Sequence, residues 1–295
     1  MSNYGVGIDI GGTKTRIALL KENIIIKDII IQTQPHDGGS VLLNRIKDEI
    51  KLLIHDKEIS LIGIGTAGQI SDDGVVLSAT NTFKDWVGIN VREFFENHFN
   101  VSVSVVNDVQ AMALGELLNG IDPRYQNVIC IALGTGVGGS IIMNQKLIRG
   151  TRGLTGEIGH MILYPNGNLC PCGAKGCVEA YLSGTAIEKN YKDRTQQQKS
   201  GKDIFSSSEE TDQVFVKNYI NDLSTLIASL SNMMSPDLFI LSGGVAGSLV
   251  PHLNSITKNV HSMVLKPNNA IDIKISDLGT DAMVAGSTYL EGIER

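Results

Sequence analysis

Two strand–turn–strand units of similar sequence, one in each half of the chain, constrain the fold more than any other feature. The first, IDIGGTKTRIALL, begins at Ile8, and the second, VICIALGTGVGGSIIM, begins at Val128. In each unit an apolar, β-branched run enters a glycine-rich turn and a second apolar run leaves it, which is the pattern of a hairpin. The repetition predicts two halves of similar architecture.

Strands and helices alternate along the rest of the chain. ISLIGIG and VSVSVV are predicted strands, while VQAMALGELL and apolar spacing over roughly 40–56 and 212–234 predict helices. The polar stretch 190–212 is expected to lie on the surface. This alternation indicates an α/β fold. Because hairpins occur among the strands, we expect mixed sheets rather than the doubly wound sheet of a Rossmann domain.

The size and composition of the chain disfavour several classes of protein. Its 295 residues suit two domains better than one, and a hydrophobic content of 42% is enough for a substantial core. A net charge of −6 argues against a general binder of nucleic acid or membrane surfaces. No apolar run reaches membrane-spanning length and no secretory signal pattern opens the chain, so we expect a cytoplasmic protein without nucleic-acid or membrane partners.

Three glycine-rich turns follow predicted strands and are candidates for binding phosphate. Successive backbone N–H groups in such turns can cradle anionic oxygens. The central turn matches G-x-G-x-x-G, but a strand follows it where the dinucleotide motif needs a helix, and Walker A and protein-kinase motifs are absent. Each turn alone could be a plain hairpin turn. Together they favour a nucleotide held between two similar halves; they lie at Gly11–Lys14, Gly134–Gly139 and Gly243-Gly244.

Asn107 and Asp108 lie where an apolar strand meets a predicted helix. Asparagine and aspartate are preferred N-cap residues, so a helix cap is the first interpretation. A catalytic interpretation is the alternative, because clefts form at strand ends in α/β folds and a carboxylate there could accept a hydroxyl proton.

The segment from Gly153 to Glu179 concentrates metal-binding side chains. Three of the four cysteines form C-x-C-x4-C after His160, a spacing typical of a metal site in a reducing compartment. Three thiolates and an imidazole complete a closed, structural zinc site, and the second ring nitrogen of His160 stays available for another hydrogen bond. A nucleic-acid-binding zinc knuckle is the rival interpretation, which the acidic balance disfavours. The fourth cysteine, Cys130, is expected in the core.

Taken together, these motifs resemble the ROK family (repressors, open reading frames and kinases), within the actin-like, hexokinase-type ATPase superfamily. The resemblance covers nearly the whole chain, and the cysteine loop preceded by E-x-G-H is highly specific. It rests on DIGGTK at 9–14, the loop 78–86 ending in tryptophan, ND at 107–108, LGTGVGGSI at 133–141, GLTGEIGH at 153–160, CPCGAKGCVE at 170–179 and LSGGV at 241–245.

The resemblance implies two lobes of RNase H-like topology with ATP and a hexose in the cleft. Residues 1–110 with a C-terminal helix at 281–295 would form one lobe, and 111–280 the other. Asp108 would be the general base for the sugar 6-hydroxyl. The remaining implied roles are sugar binding by Asn81, Asn107, Glu157, His160 and Glu179; phosphate binding by Gly11, Gly12, Thr13, Lys14, Thr135 and Gly136; proximity to adenosine for Gly243 and Gly244; proximity to Mg²⁺ for Asp9; and zinc binding by His160, Cys170, Cys172 and Cys177.

The implied activity is phosphorylation of an aldohexose by ATP. Glu157 favours glucose, because N-acetylmannosamine kinases of the family often carry histidine there; N-acetylmannosamine and N-acetylglucosamine are the alternative substrates. A sugar-sensing regulator is disfavoured, because the first strand begins by about residue 4 and leaves no room for a helix-turn-helix. A zinc-ribbon interaction module with a vestigial ATP site is a further alternative. Family members are often dimers or tetramers, so a homo-oligomer is expected.

Overall fold

The computed structural model describes residues 4–79, 83–119, 121–289 and 292–293, apart from the side chains of residues 269 and 280. The strands are β1 (Tyr4–Ile10), β2 (Lys14–Lys21), β3 (Ile24–Gln32), β4 (Leu61–Thr66), β5 (Gln69–Ile70), β6 (Val76–Ser78), β7 (Ser102–Asn107), β8 (Val128–Leu133), β9 (Val137–Met143), β10 (Lys146–Ile148), β11 (Leu238–Ser242) and β12 (Asp272–Ile275). The α-helices are α1 (Gly39–Ile54), α2 (Val91–Phe99), α3 (Asp108–Leu118), α4 (Glu179–Leu182), α5 (Gly184–Thr195), α6 (Gly201–Ser206), α7 (Glu210–Met234), α8 (Leu253–Met263) and α9 (Thr280–Ser287).

Two mixed sheets repeat the same strand arrangement, which confirms the predicted α/β class and hairpin openings. In the first, the strand order is β3-β2-β1-β4-β7, with β1 antiparallel to β2 and parallel to β4. In the second, β8 is likewise antiparallel to β9 and parallel to β11, which is followed by β12. The sequence repeat therefore corresponds to a repeated topology.

The chain divides into two compact units. The first comprises residues 1–123, 145–155 and 278–295, and the second comprises 124–144 and 156–277. This division differs from the predicted boundary at residue 110, which falls inside α3. The physical reason is that Leu114 of α3 packs in one apolar cluster with Leu147, Tyr289 and Ile293, so that α3, the segment 145–155 and the C-terminal segment belong together.

Each unit has its own apolar core. In the first, residues of α1 such as Leu42, Ile46 and Ile50 pack against the sheet residues Ile8 and Ile64. In the second, the inner face of α7 packs with strand residues of β8 and β11 and with residues of α8. Cys130 lies in β8 and is fully buried, as predicted for a core residue. No helix in the described ranges has both the length and the apolar character needed to cross a membrane.

Candidate functional site

Two carboxylates lie at the carboxyl ends of β1 and β7, the two strands that flank β4 in the sheet of the first unit. Asp9 is near the end of β1, and Asp108 is the first residue of α3, directly after β7. Strand β4 lies between them and places Gly65 beside Asp9. A Cβ atom on Gly65 would lie 2.9 Å from the Ala111 Cβ and 3.9 Å from the Asp108 Cα. The missing side chain therefore lets the N-terminus of α3 approach the sheet.

The electrostatics of this pair favour a bound cation. Burial and, to a smaller extent, the negative charge of Asp108 raise the pKa of Asp9 to about 6, while the positive charge of Arg16 partly opposes the shift. A divalent cation stabilises the ionised forms of two partly buried carboxylates whose charges repel each other. Mg²⁺ prefers oxygen ligands such as these. The donor set is thus compatible with Mg²⁺ at Asp9.

Asn107 is the N-cap of α3, as the first interpretation predicts. Its Oδ1 accepts a hydrogen bond from the Val109 N–H at 2.9 Å, and its Nδ2 donates to the Gly68 carbonyl at 2.8 Å. The Gln110 Oε1 accepts from the Asn107 N–H at 3.4 Å, which completes a capping box. These bonds fix the start of the helix and thereby the position of Asp108.

Gln110 also ties α3 to the segment that leads toward Glu157. Its Nε2 donates to the Gly153 carbonyl at 3.2 Å, and the side chain is buried. Arg149 holds the same segment from the other side, donating to the carbonyls of Ile70 and Ser71 at 3.4 and 3.2 Å. Sequence reasoning missed both residues. A glutamine three positions after a candidate N-cap was the available signal for Gln110; nothing local indicated Arg149.

The predicted phosphate-binding turn of the first unit joins β1 to β2. The Gly11 N–H donates to the Lys14 carbonyl at 3.1 Å, and the Thr33 hydroxyl donates to the Gly11 carbonyl at 2.7 Å. Gly12, Thr13 and Lys14 are exposed. The turn is thus anchored at its base and open at its tip.

The corresponding turn of the second unit is braced by a carboxylate. Glu179, the first residue of α4, accepts a hydrogen bond from the Val137 N–H through Oε2 at 3.0 Å. A Cβ atom on Gly136 would lie 2.5 Å from that oxygen, so a side chain at this position would displace the Glu179 carboxylate from the Val137 N–H. The Thr185 hydroxyl donates to the Thr135 carbonyl at 2.9 Å.

A cavity of about 930 Å³ in the second unit adjoins this turn. Thr135 lines it together with Gly134 and Gly244, so it connects two of the predicted nucleotide-binding turns. Its volume lies in the range of ligand pockets, about 300–1,000 Å³. Lys202 and Glu188 also line it, and Lys202 is exposed, as expected for the polar stretch 190–212. Lys202 belongs to α6.

His160 and the three predicted cysteines lie together, and their ligand atoms all fall within 4.8 Å of one another. The Cys172 and Cys177 sulfur atoms are 3.7 Å apart, and the His160 Nδ1 lies 3.9 Å from the Cys170 sulfur. Zn–S bonds of about 2.3 Å in a tetrahedron separate sulfur atoms by about 3.8 Å. The cluster therefore fits a tetrahedral metal ion.

The thiols differ in their environments. Burial raises the pKa of Cys170 to about 12 and also raises that of Cys177. A backbone hydrogen bond from Ala174 is the main cause of a lowered pKa at Cys172, which is exposed. Cys172 is therefore the thiol that most readily supplies a thiolate to a metal.

The imidazole of His160 faces two ways. While Nδ1 is directed to Cys170, Nε2 lies 4.0 Å from the Glu157 Oε2, and both of these side chains are partly exposed. A group that donates to the carboxylate and accepts from the imidazole, such as a hydroxyl, can bind both at that separation. The Glu179 Oε1 also lies 3.9 Å from the Cys170 sulfur.

Phe83 and Trp86 belong to the loop 78–86, from which the resemblance predicts a sugar contact. Asn81, a predicted sugar ligand, lies outside the described residues. Trp86 is fully buried and stacks on Phe83, with ring centroids 5.5 Å apart. It anchors the loop in the core and offers no exposed ring to a ligand.

Comparison with known proteins identifies the family. The ROK family pattern matches residues 5–292. The chain is 30% identical to a glucokinase of Halalkalibacterium halodurans, covering 97% of this chain and 94% of the relative, and 30% identical to an N-acetylmannosamine kinase of Vibrio cholerae, covering 87% and 89%. A ROK family glucokinase structure from Streptomyces griseus in complex with glucose and AMPPNP superposes with a TM-score of 0.79, at 29% identity, covering 97% of this chain and 98% of that one. The chain belongs to the ROK family.

Proposed function

We propose that this protein is an ATP-dependent sugar kinase that phosphorylates the 6-hydroxyl of an aldohexose, with glucose as the first candidate. The observation that carries the proposal is the position of Asp108, a carboxylate fixed at the N-terminus of α3, across β4 from the partly buried Asp9. The kinases among the relatives support the reaction class.

Asp108 is the proposed general base. Its Oδ1 accepts from the Val109 N–H at 2.8 Å, which orients the carboxylate, and the capping box holds the backbone beneath it. A carboxylate in hydrogen-bond contact with the attacking hydroxyl can accept its proton as the phosphoryl group is transferred.

ATP and Mg²⁺ are the proposed cosubstrate and metal. Thr135 and Gly136, with the turn Gly11–Lys14, would bind phosphate oxygens, and Gly243 and Gly244 would lie near the adenosine. Mg²⁺ would be held near Asp9, where it supplies charge neutralisation at the transferring phosphate.

A structural zinc ion is proposed at His160, Cys170, Cys172 and Cys177. The donor set is closed, so the ion would stabilise the loop and orient the imidazole rather than activate water. With Nδ1 on the metal, the His160 Nε2 and the neighbouring Glu157 carboxylate would bind a sugar hydroxyl together.

The proposed sugar contacts are Asn81, Asn107, Glu157, His160 and Glu179. Existing protein contacts constrain two of these residues, Asn107 and Glu179. Both ends of the Asn107 amide already make protein hydrogen bonds, so a sugar contact would share them. The Glu179 Oε2 accepts from the Val137 N–H, and Oε1 lies 3.9 Å from the Cys170 sulfur, so a sugar hydroxyl at Oε1 would share that oxygen with Cys170.

Replacement of Asp108 by asparagine tests the proposed base. D108N keeps the size and hydrogen-bonding capacity of the side chain, so sugar affinity should be retained while kcat falls by a factor of about 10² or more. Near wild-type turnover by D108N would refute the assignment.

The substrate is tested separately by assaying glucose, mannose, N-acetylglucosamine and N-acetylmannosamine in parallel. A preference for an N-acetylated sugar would make that sugar the candidate substrate in place of glucose.

A sugar-responsive regulator is the second candidate function. The chain is 29% identical to a xylose repressor of Bacillus spizizenii over 98% of its length, while it covers 77% of that repressor. Sequence-specific DNA binding that depends on sugar, without sugar phosphorylation, would favour this candidate.

We further propose that the protein is a cytoplasmic homo-oligomer. Analytical ultracentrifugation at several protein concentrations would test the oligomeric state.

A further inference from the structure

A second cavity of the second unit, about 660 Å³ in volume, lies between the zinc loop and α7 and has no part in the proposed reaction. One wall is the loop between His160 and Cys170, and the opposite wall is α7, with α5 beside them. We call it the α7 cavity. Tyr164, Asn168, Tyr181, Asn190, Asn218 and Asp222 are among its lining residues.

The loop wall is held in place by hydrogen bonds. The Asn168 N–H donates to the Tyr181 hydroxyl at 2.7 Å, and the Asn168 side chain donates to the Asn190 Oδ1 at 3.0 Å. Asn190 is nine-tenths buried and donates in turn to the Ala180 carbonyl. The cavity is thus lined by a preformed surface, which lowers the entropic cost of binding a ligand.

The lining combines aromatic rings with amides. Tyr164 and Tyr181 lie with ring centroids 4.8 Å apart, and Tyr164 donates a hydrogen bond to Asp222 across to α7. Within the described ranges no group hydrogen-bonds to the exposed Asn218 amide, which therefore has a free donor and a free acceptor. Side-chain amides match hydroxyl groups, which both donate and accept, and aromatic rings pack against the apolar face of a sugar ring.

The charges of the lining select against phosphorylated ligands. Asp193 and Asp222 contribute two carboxylates, whereas Arg194 contributes one guanidinium, which lies over the Phe215 ring at 5.6 Å. Asp193 is paired with Lys189 at 2.9 Å. An anionic sugar phosphate would meet the carboxylates without a cluster of cations to bind it.

We propose that the α7 cavity is a second binding site for a neutral mono- or disaccharide, separate from the site of the acceptor sugar. A ligand there would contact Tyr164 and Asn168 on one side and Asn218 on the other, joining the zinc loop to α7. The proposal goes beyond the kinase activity and does not depend on it.

Saturation-transfer-difference NMR with maltose, glucose and glucose 6-phosphate on the full chain tests the proposal. Asn218→Phe fills the cavity from an exposed position of α7, and Lys217→Phe adds the same ring at the exposed neighbouring position. We expect maltose to bind wild type, Lys217→Phe and Glu157→Ala with similar, millimolar affinity, and Asn218→Phe at least about tenfold more weakly. Glucose 6-phosphate should not compete with maltose.

The outcomes separate this site from the acceptor-sugar site. Absence of maltose binding to wild type at tens of millimolar, or equal binding to Asn218→Phe, would overturn the proposal. Loss of maltose binding in Glu157→Ala would assign the signal to the acceptor-sugar site and would also overturn it. Asn218→Phe should keep the kcat of wild type with glucose and ATP, which shows that the variant is folded. If the kinase proposal itself fails, a circular dichroism spectrum like that of wild type shows instead that Asn218→Phe is folded.

Discussion

The Gln110 side chain donates a hydrogen bond to the Gly153 carbonyl, with 3.2 Å between Nε2 and oxygen. The same side chain accepts from the Asn107 N–H at the start of α3. One buried amide therefore links the helix end that carries Asp108 to the segment through which the chain continues to Glu157. Positioning of the proposed base thus depends on a residue that contacts no reacting atom.

Replacing Gln110 by leucine should remove both hydrogen bonds while keeping the volume of the side chain. We expect a loss of about 1–3 kcal/mol in the free energy of unfolding, because the Gly153 carbonyl and the Asn107 N–H lose their partner. The kcat should fall about tenfold or more as Asp108 loses its fixed position. Denaturant unfolding and steady-state kinetics measure the two effects.

Asn119 provides the matched control at the other end of the same helix. Its Nδ2 donates to the Gly115 carbonyl at 2.7 Å, so Asn119→Ala also removes one side-chain bond to the backbone of α3. It should lower stability by about 1 kcal/mol without changing kcat. Equal loss of kcat in both variants would show that helix stability, rather than the tie to Gly153, is the cause.

Gly136→Ala should disturb the turn between β8 and β9, because the new Cβ would lie 2.5 Å from the Glu179 Oε2. The Glu179 carboxylate must then move aside and lose its hydrogen bond to the Val137 N–H, which costs about 1–3 kcal/mol, and a loosened turn should raise the KM for ATP. In a Glu179→Ala background the obstructing carboxylate is gone, so the stability cost of Gly136→Ala should shrink. Additive costs in the double variant would contradict the proposed steric coupling.

Asp9→Asn should make the Mg²⁺-free protein more stable at neutral pH. The folded-state pKa of Asp9 is raised from 3.8 to about 6, so the folded state binds more protons than the unfolded state between these values. Stability therefore falls as pH rises from about 4 to 6 and stays lower above that, by up to about 3 kcal/mol. The variant should lose this dependence, and with it most kinase activity.

Urea unfolding at pH 4 and pH 8, in buffer without Mg²⁺ and without chelator, measures the effect. A chelator is omitted because it would also remove metal from the cysteine cluster, which would change the free energy of unfolding for a separate reason. A stability gain of Asp9→Asn at pH 8 that disappears at pH 4 is expected. An equal change at both pH values would mean that the Asp9 carboxylate carries no burial cost.

Zinc analysis of the purified chain should give about one ion per chain. Because formation of such a site is coupled to folding, chelation and Cys177→Ser should both lower thermal stability and release the metal. Cys130→Ala is the matched control, since Cys130 is a buried thiol in β8 outside the cluster. It should retain the ion, and a fully stable metal-free protein would refute the zinc proposal.

The sequence by itself determined the features that depend on neighbouring residues. Alternating apolar runs and glycine turns specified the repeated hairpins and the α/β class, because strand and turn preferences act over a few positions. The close spacing of Cys170, Cys172 and Cys177 after His160 identified the cluster that the structure brings together. Asn107 was identified as a helix cap for the same local reason.

Only the tertiary structure decided the features that depend on distant parts of the chain. It directs Nδ1 of His160 to the cysteines and Nε2 to Glu157, a choice that sequence spacing leaves open. It brings Gln110 to Gly153 and Glu179 to Val137, and it buries Trp86. The Gln110 and Glu179 contacts join residues 43 and 42 positions apart, so they form only when strands and helices pack, and no local pattern records them.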